Sequence, residues 1–245
     1  FFRNGWTFKN LNEIRTEFNY FPARWEDRNS FGNGAYKMHD RFVGELAFGT
    51  DTSQLVSFSA LVGMRQEELS DWTLRSSVGL TYKPADQFSL DLDLNYFERK
   101  GWLLHNTDRL MSKYDAGDFQ PRLGMDIFFT AKQQLRLTVQ WAAIKAEVTE
   151  FLVIPERGGT LLSLEDSNGY IPINSVREDF ALSRLTSQIR YRWEIGPLSD
   201  FFLVYTRGSN LPNRVEESYG ELWEDAISYP IVDTYVAKLR YRFGN

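Results

Sequence analysis

The chain contains no cysteine among its 245 residues, and this absence excludes disulfides, thiolate metal sites and cysteine nucleophiles. It also lacks any apolar run approaching the roughly 18 to 20 residues that a membrane-spanning helix needs. Any form of this chain that crosses a bilayer must therefore do so with strands. The net charge of −5 argues against a nucleic-acid partner bound through a broadly basic surface.

Histidine is scarce as well, because only His39 and His105 are available as imidazole bases. Asp40 follows His39 directly, and adjacent strand residues point to opposite faces, so these two cannot form a dyad. No Gly-x-Ser-x-Gly or His-Glu-x-x-His motif is present. The sequence therefore predicts a protein that is not an enzyme and that uses no cofactor and no metal, with a hydrolase kept as the least favoured alternative.

The chain is rich in aromatic residues and in alternating patterns. Aromatics make up 16% of a chain whose mean hydropathy is only −0.41. Residues 88–97 read FSLDLDLNYF, and residues 72–82 read WTLRSSVGLTY. A period of two predicts strands with one apolar and one polar face.

Ten segments carry this alternation, and their connections alternate in length. The predicted strands are 11–21, 36–49, 55–66, 72–83, 88–98, 120–131, 135–148, 179–194, 201–208 and 231–243. The tight polar turns are TDTS at 50–53, PADQ at 84–87, AKQQ at 131–134 and GPLS at 196–199. Most of the other connections are long: 22–35, 67–71, 99–119, 149–178 and 209–230.

Long connections at one end and short turns at the other are typical of outer-membrane barrels. Phe88 and Tyr96 also bracket an apolar band, as rings do at membrane interfaces. The sequence thus predicts an all-β fold, a transmembrane antiparallel up-and-down β-barrel with about ten strands in this chain. A soluble sandwich or a lipocalin-like barrel is the alternative.

The end of the chain carries a resemblance to known proteins. TYVAKLRYRFGN resembles the terminal strand of Gram-negative outer-membrane barrels, with Tyr241 and Phe243 as the signal for the barrel-assembly machinery, although Gly244 and Asn245 follow the final aromatic. DFFLVYTRGSN at 200–210 resembles the end of an uncharacterised family in which a carbohydrate-binding-like domain precedes the barrel.

This resemblance implies an address in the cell envelope, in the outer membrane of a Gram-negative bacterium, among lipid and lipopolysaccharide. It also implies that residues 1–245 are the C-terminal part of a longer precursor. FFRNGW at the start reads as the lower end of a strand, which indicates further strands upstream and a larger barrel. A closed ten-stranded barrel is the alternative.

The polar side chains of the strands are expected to line the lumen. They are Arg75, Asp91, Asp93, Asp126, Arg136, Arg184, Arg190, Arg192, Lys238, Arg240 and Arg242. Acidic residues on neighbouring strands and basic residues on the eighth and last predicted strands favour a porin-like, charge-lined channel or binding site for polar solutes, saccharides included. The first alternative is a barrel plugged by paired charges that anchors or docks a partner. An outer-membrane hydrolase is the second.

The long connections are expected to carry specificity for a saccharide or a protein partner. Segment 99–119 is predicted to contain a short helix bearing Leu110 and Met111, capped by Asn106 or Thr107. Five rings could stack on sugars or on one another: Trp102, Tyr114, Tyr170, Tyr219 and Trp223. An acidic cluster is interpreted as a solvated surface rather than a cation site: Glu216, Glu217, Glu221, Glu224 and Asp225.

Overall fold

The structure, a computed structural model, describes residues 1–167, 171–172 and 176–243. The described elements are strands and one short helix. In chain order they are β1 (Phe2–Thr7), β2 (Glu13–Phe21), β3 (Arg24–Glu26), β4 (Tyr36–Met38), β5 (Arg41–Gly49), β6 (Val56–Gln66), β7 (Trp72–Ala85), β8 (Phe88–Thr107), β9 (Leu110–Thr130), β10 (Gln133–Val153), β11 (Leu162–Ser163), β12 (Phe180–Gly196), β13 (Ser199–Asn213), α1 (Tyr219–Ser228) and β14 (Val232–Arg240).

One large antiparallel sheet contains most of these strands. Its order is β1-β2-β5-β6-β7-β8-β9-β10-β12-β13-β14, with β11 paired to the end of β10, while β3 and β4 form a separate hairpin. Within the described residues β1 and β14 do not pair, so both remain edges and no closed barrel is formed. The predicted all-β antiparallel class is therefore confirmed as a sheet.

Each predicted strand overlaps an observed strand of this sheet, and the four tight turns lie at one end as expected. The segment 36–49 differs, because Tyr36–Met38 pairs in the small hairpin and the sheet strand begins only at Arg41. The opening residues form β1, which pairs antiparallel with β2. The period-two pattern thus located the strands, while the division of segment 36–49 depended on tertiary packing.

The prediction for segment 99–119 is wrong, since it forms neither a long loop nor a helix. Strands β8 and β9 continue through it to a two-residue turn, where Asp108 has a φ of +48°. The side chain of Asn106 does not cap a helix, and its amide donates instead to Ser112 Oγ at 2.6 Å and to the carbonyl of Arg177 at 2.8 Å. Met111, the expected helix residue, is fully buried between strands.

The helix that does form lies in segment 209–230. Ser218 caps α1 in a capping box: the Ser218 hydroxyl accepts from the backbone N–H of Glu221, and the Glu221 carboxylate accepts from the backbone N–H of Ser218. Leu222 and Ala226 of α1 are fully buried against Trp141 and Leu185 of the sheet. The helix therefore packs on one face of the sheet, near the end of the sheet at which the long connections lie.

The strands give the large sheet two unlike faces. Register places Leu80 opposite Leu92 on one face and Thr81 opposite Asp91 on the other. We call the first the apolar face, and most of it has no covering element. Its exposed side chains include Phe18, Leu46, Phe48, Phe58, Val62, Met64, Leu74, Val78, Leu80, Leu94, Ile189 and Leu203. We call the opposite surface the polar face.

Buried apolar side chains collect at the long-connection end instead. One cluster joins the small hairpin to the long strands: Tyr36, Met38, Leu103, Met111, Leu152 and Ile154. A second cluster packs Trp102 and Tyr114 against Phe180, with ring centroids 5.3 to 6.5 Å apart. This end of the protein thus has its own core, separate from the two-faced part of the sheet.

A partly buried carboxyl at this end predicts a pH dependence. Burial raises the pKa of Glu68 above its ordinary 4.5, although the Tyr36 hydroxyl donates to it at 2.7 Å and the Asn29 amide at 2.9 Å. Because folding favours the protonated form, its contribution to stability is present below the ordinary pKa and is lost as the pH rises through the raised pKa.

Replacing Glu68 by Gln is expected to remove this loss. The melting temperature of the variant, followed by circular dichroism, should rise relative to that of the unchanged chain between about pH 4 and about pH 8. A difference between the two proteins that stays constant across this range would contradict the assignment.

Candidate functional site

The polar face gathers the side chains that the sequence predicts as site residues. Ten of them lie on it along strands β7 to β14: Arg75, Asp91, Asp93, Asp126, Arg136, Arg184, Arg190, Arg192, Lys238 and Arg240. Arg242 follows the end of β14, and its backbone N–H donates to Ser199 Oγ at 3.1 Å. Period-two parity was sufficient to place the ten on one surface.

Several of these charges form ion pairs with a neighbouring strand or, across Gly63 of β6, with the strand beyond it. Arg75 contacts Glu45 at 3.2 Å. Arg136 contacts Asp126 at 2.9 Å, and Arg192 contacts Asp200 at 2.9 Å. The expected separation into an acidic and a basic wall is therefore reduced by local pairs, since Asp126 is neutralised by its own neighbour. This local pairing depends on how neighbouring strands are aligned with one another, and the alternating sequence pattern does not determine that alignment.

The most deeply buried pair joins β8 to β9. Asp118 is 1% exposed, and its Oδ2 lies 3.0 Å from Nη2 of Arg99. The Gln120 amide donates to both carboxylate oxygens, at 2.9 and 3.1 Å. The guanidinium of Arg99 also lies over the rings of Phe97 and Trp102, 5.2 and 4.9 Å from their centroids. These contacts fix both charges, so the pair stabilises the sheet and is not available to a ligand.

A cavity of about 470 Å³ opens on the polar face beside this pair, and we call it the central cavity. Its polar lining comes from β8, β9, β10 and β12: Asn95, Gln120, Arg122, Gln140, Arg184 and Thr186. Arg122 and Arg184 make no ion pair within the described part of the chain. The cavity therefore presents two arginines that make no direct contact with a carboxylate among the described residues, although Asp93 lies opposite Arg122 on β8.

A second cavity of about 370 Å³ lies on the same sheet toward the short turns. Arg15, Ser59, Thr81 and Asp93 are among its lining residues. The Thr81 hydroxyl donates to Asp91 at 2.7 Å, while Asp93 makes no ion pair in the described ranges. The charged lining of this cavity is mainly acidic, with Glu13, Asp51 and Asp93 against Arg15, so this cavity does not favour an anion.

The two histidines lie at the long-connection end. His39 Nδ1 is 2.9 Å from Ser70 Oγ, and Ser70 has a φ of +78°. Among the described residues no carboxylate contacts the His39 ring, so a nucleophile–base–carboxylate arrangement is not assembled. His105 Nε2 is 2.8 Å from the Asp108 carbonyl and 3.3 Å from the Asn33 amide. Both histidines organise loops.

Four of the five rings pack against other rings, and part of the acidic cluster caps α1 or accepts hydrogen bonds. Tyr219 packs edge-on against Phe119, and Trp223 packs against Trp141. Tyr170 lies outside the described residues. Glu221 belongs to the capping box of α1, where the backbone N–H and hydroxyl of Ser218 lower its pKa. Among the described residues no group of three or more His, Asp and Glu is arranged to hold a metal ion.

Tyr241 and Phe243, the residues of the predicted assembly signal, follow the last strand. Their ring centroids lie 4.9 Å apart, and Phe243 is 87% exposed. Recognition of these rings by an assembly machinery stays a prediction. In the described ranges, no helix combines the length and apolar character needed to cross a membrane.

Comparison with known proteins identifies a family without assigning an activity. No curated protein and no solved structure matches the chain. One family model, described as a domain of unknown function, matches residues 2–243 and so covers nearly the whole sequence. The two-faced sheet, its central cavity and the helix α1 all lie within the matched range. The chain therefore belongs to the family DUF5916, the domain of unknown function 5916.

Proposed function

We propose that the chain forms the wall of an outer-membrane β-barrel whose polar face binds or passes polar solutes. The observation that carries this proposal is the uncovered apolar face of the sheet, backed by a polar face on which some of the charges are paired. Soluble monomers rarely expose contiguous apolar patches larger than a few hundred Å². The hydrocarbon interior of a bilayer is the partner whose chemistry matches such a surface.

The distribution of rings on the apolar face supports this orientation. Trp72 and Tyr82 are exposed at the two ends of the apolar stretch of β7. Amphipathic rings prefer the level of the lipid headgroups, where one part is apolar and the other hydrated. In this proposal the short turns face the periplasm, and the buried clusters with α1 lie outside the cell.

Closure of the wall is part of the proposal. The edge strands β1 and β14 present unpaired backbone groups, which hydrocarbon cannot satisfy. These edges would pair with each other or with further strands of a longer protein. In the second candidate function the barrel is plugged and serves as an anchor or a docking partner. The paired charges of the polar face favour that alternative, because paired groups offer fewer contacts to a solute.

Two single cysteines test the proposal, because the natural chain has none. Asp93→Cys and Leu94→Cys change adjacent residues that point to opposite faces of β8. In isolated outer membranes, a membrane-impermeant maleimide is expected to label Asp93→Cys and to leave Leu94→Cys unlabelled. Dissolving the membrane in detergent should make Leu94→Cys reactive.

Each result has a distinct meaning. Equal labelling of both cysteines in intact membranes, or recovery of the protein in the soluble fraction, would reject the membrane wall. Protection of both cysteines, with labelling of both after detergent, would favour the plugged anchor over the solute-binding barrel. A matched pair on the next strand, Gly124→Cys and Leu123→Cys, repeats the comparison at an independent position.

A further inference from the structure

Two neighbouring rows of paired residues, one centred on Gln140 and one on Ala142 of β10, form the floor of the central cavity. Arg122 of β9 lies opposite Gln140 of β10, which lies opposite Thr186 of β12. Ala142, which is two residues after Gln140 on β10, lies opposite Arg184 of β12. The small side chain of Ala142 leaves space beside the longer side chains, and this space is part of the cavity. The cavity is thus a consequence of register on four neighbouring strands.

Arg122 and Arg184 differ from the arginines of this face that form ion pairs, while Arg190, which also contacts no carboxylate among the described residues, does not line the cavity. Arg75, Arg99, Arg136 and Arg192 each contact a carboxylate at 2.9 to 3.2 Å. Arg122 and Arg184 contact none in the described ranges, although Asp93 lies opposite Arg122 across the pair of β8 and β9. These two guanidinium groups therefore retain all of their hydrogen-bond donors for a ligand.

The two arginines are placed to act on one group. They lie on β9 and β12, the strands that flank β10, so their backbones are about 10 Å apart across the sheet and about 7 Å along it. Both side chains leave the same face and line the same cavity. Guanidinium groups bind carboxylate and phosphate oxygens through paired, charge-assisted hydrogen bonds. Two of them in one cavity favour an oxyanion.

Neutral groups in the cavity complement this charge. Asn95, Gln140 and Thr186 line it and make no side-chain hydrogen bond within the described part of the chain. Amides and hydroxyls of this kind bind the hydroxyl groups of a solute. Gln120 differs, because its amide N–H groups are committed to Asp118. A volume of about 470 Å³ lies within the range of small-molecule sites.

We infer that the central cavity binds a small hydroxylated solute that carries an oxyanion, of the class of acidic monosaccharides. Arg122 and Arg184 hold the carboxylate, and Asn95, Gln140 and Thr186 contact the hydroxyls. The inference rests on the proposed function, since it assigns a substrate class to the polar face of the same wall. The inference also specifies that the solute is negatively charged, which could not be concluded from the mixture of acidic and basic residues on the whole polar face.

The test compares glucuronate with glucose, which lacks the carboxylate. Isothermal titration calorimetry on the full chain in detergent micelles is expected to show binding of glucuronate and at least tenfold weaker binding of glucose. Arg122→Gln and Arg184→Gln should each weaken glucuronate binding about 10- to 100-fold, because each removes a charge-assisted hydrogen bond. Arg136→Gln, at an arginine already paired with Asp126, should leave the affinity unchanged.

Equal affinity for the two sugars, absence of glucuronate binding, or insensitivity to both cavity substitutions would overturn the inference. Circular dichroism spectra establish that each variant is folded, and Arg122→Lys and Arg184→Lys, which keep the charge, should retain part of the affinity. Failure of the binding test together with the expected cysteine labelling at Asp93 and Leu94 would reject the substrate class alone. Loss of the labelling pattern would reject the membrane wall itself.

Discussion

Replacing Asp118 by alanine is expected to lower the free energy of unfolding by about 3 to 5 kcal/mol. Asp118 is 1% exposed and Arg99 is 17% exposed at the side chain, so the substitution leaves a charge in a site with little access to water. It also removes the acceptor of both hydrogen bonds from Gln120. Guanidinium chloride unfolding in detergent micelles, followed by circular dichroism, measures the change.

Asp126→Ala provides a matched control on the same strand and face. Asp126 also pairs with an arginine, Arg136, but the side chains are 28% and 51% exposed, so water screens the pair. The expected loss is about 0 to 1 kcal/mol. Similar losses at Asp118 and Asp126 would show that burial does not distinguish the two pairs and would contradict the assignment of Asp118 as a fixed structural group.

Replacing Trp141 by alanine is expected to cost about 3 to 5 kcal/mol and to release α1 from the sheet. The Trp141 ring packs edge-on against Phe119 and Trp223, with centroids 5.9 and 5.2 Å apart. Its Nε1–H donates to Ser183 Oγ at 2.9 Å, and the Ser183 hydroxyl donates to the carbonyl of Leu222 at 2.8 Å. The substitution thus removes the packing and the hydrogen-bond chain that join the helix to the sheet.

Limited proteolysis separates release of the helix from general unfolding. In Trp141→Ala the connection around α1 should be cleaved while the strands of the sheet stay protected. Trp141→Phe keeps most of the ring packing and loses the hydrogen bond to Ser183, so its loss of stability should be smaller. Unchanged protection of the helix in Trp141→Ala would show that other contacts hold α1 in place.

Strand positions and the two faces could be predicted because they depend on local periodicity. The alternation of Leu and Asp through β8 determines which side chains share a face, whichever strands are neighbours. The tight turns were equally local, since two residues of turn-favouring type join β7 to β8. These features required no knowledge of contacts between distant residues.

The long connections were harder to predict because tertiary contacts decide their conformation. Beyond Arg99 a bulge interrupts the register of β8 with β9, so simple alternation no longer marks the strand. The capping box at Ser218 and Glu221 was visible in the sequence, but Glu221 was interpreted only as part of an acidic surface. The local pattern is therefore interrupted in β8, whereas at α1 the capping residues are present in the sequence.

The central cavity could not be predicted as a site, because it depends on register. Parity placed Arg122 and Arg184 on the polar face, but only the pairing of β9, β10 and β12 brings them to opposite sides of Ala142. The same register pairs Arg136 with Asp126 and leaves the other two arginines without a carboxylate. Which cations are neutralised was therefore a tertiary property.

The length of β9 and β10 has a mechanical consequence. Each has 21 residues, which corresponds to about 70 Å of extended strand. A bilayer with a hydrocarbon core about 30 Å thick needs only about 9 to 11 residues of a tilted strand. In the proposed orientation the remaining residues of β9 and β10 extend beyond the lipid as a paired two-stranded projection, and the β3–β4 hairpin packs against it. Molecules arriving from outside would meet this stiff projection before they reach the membrane surface.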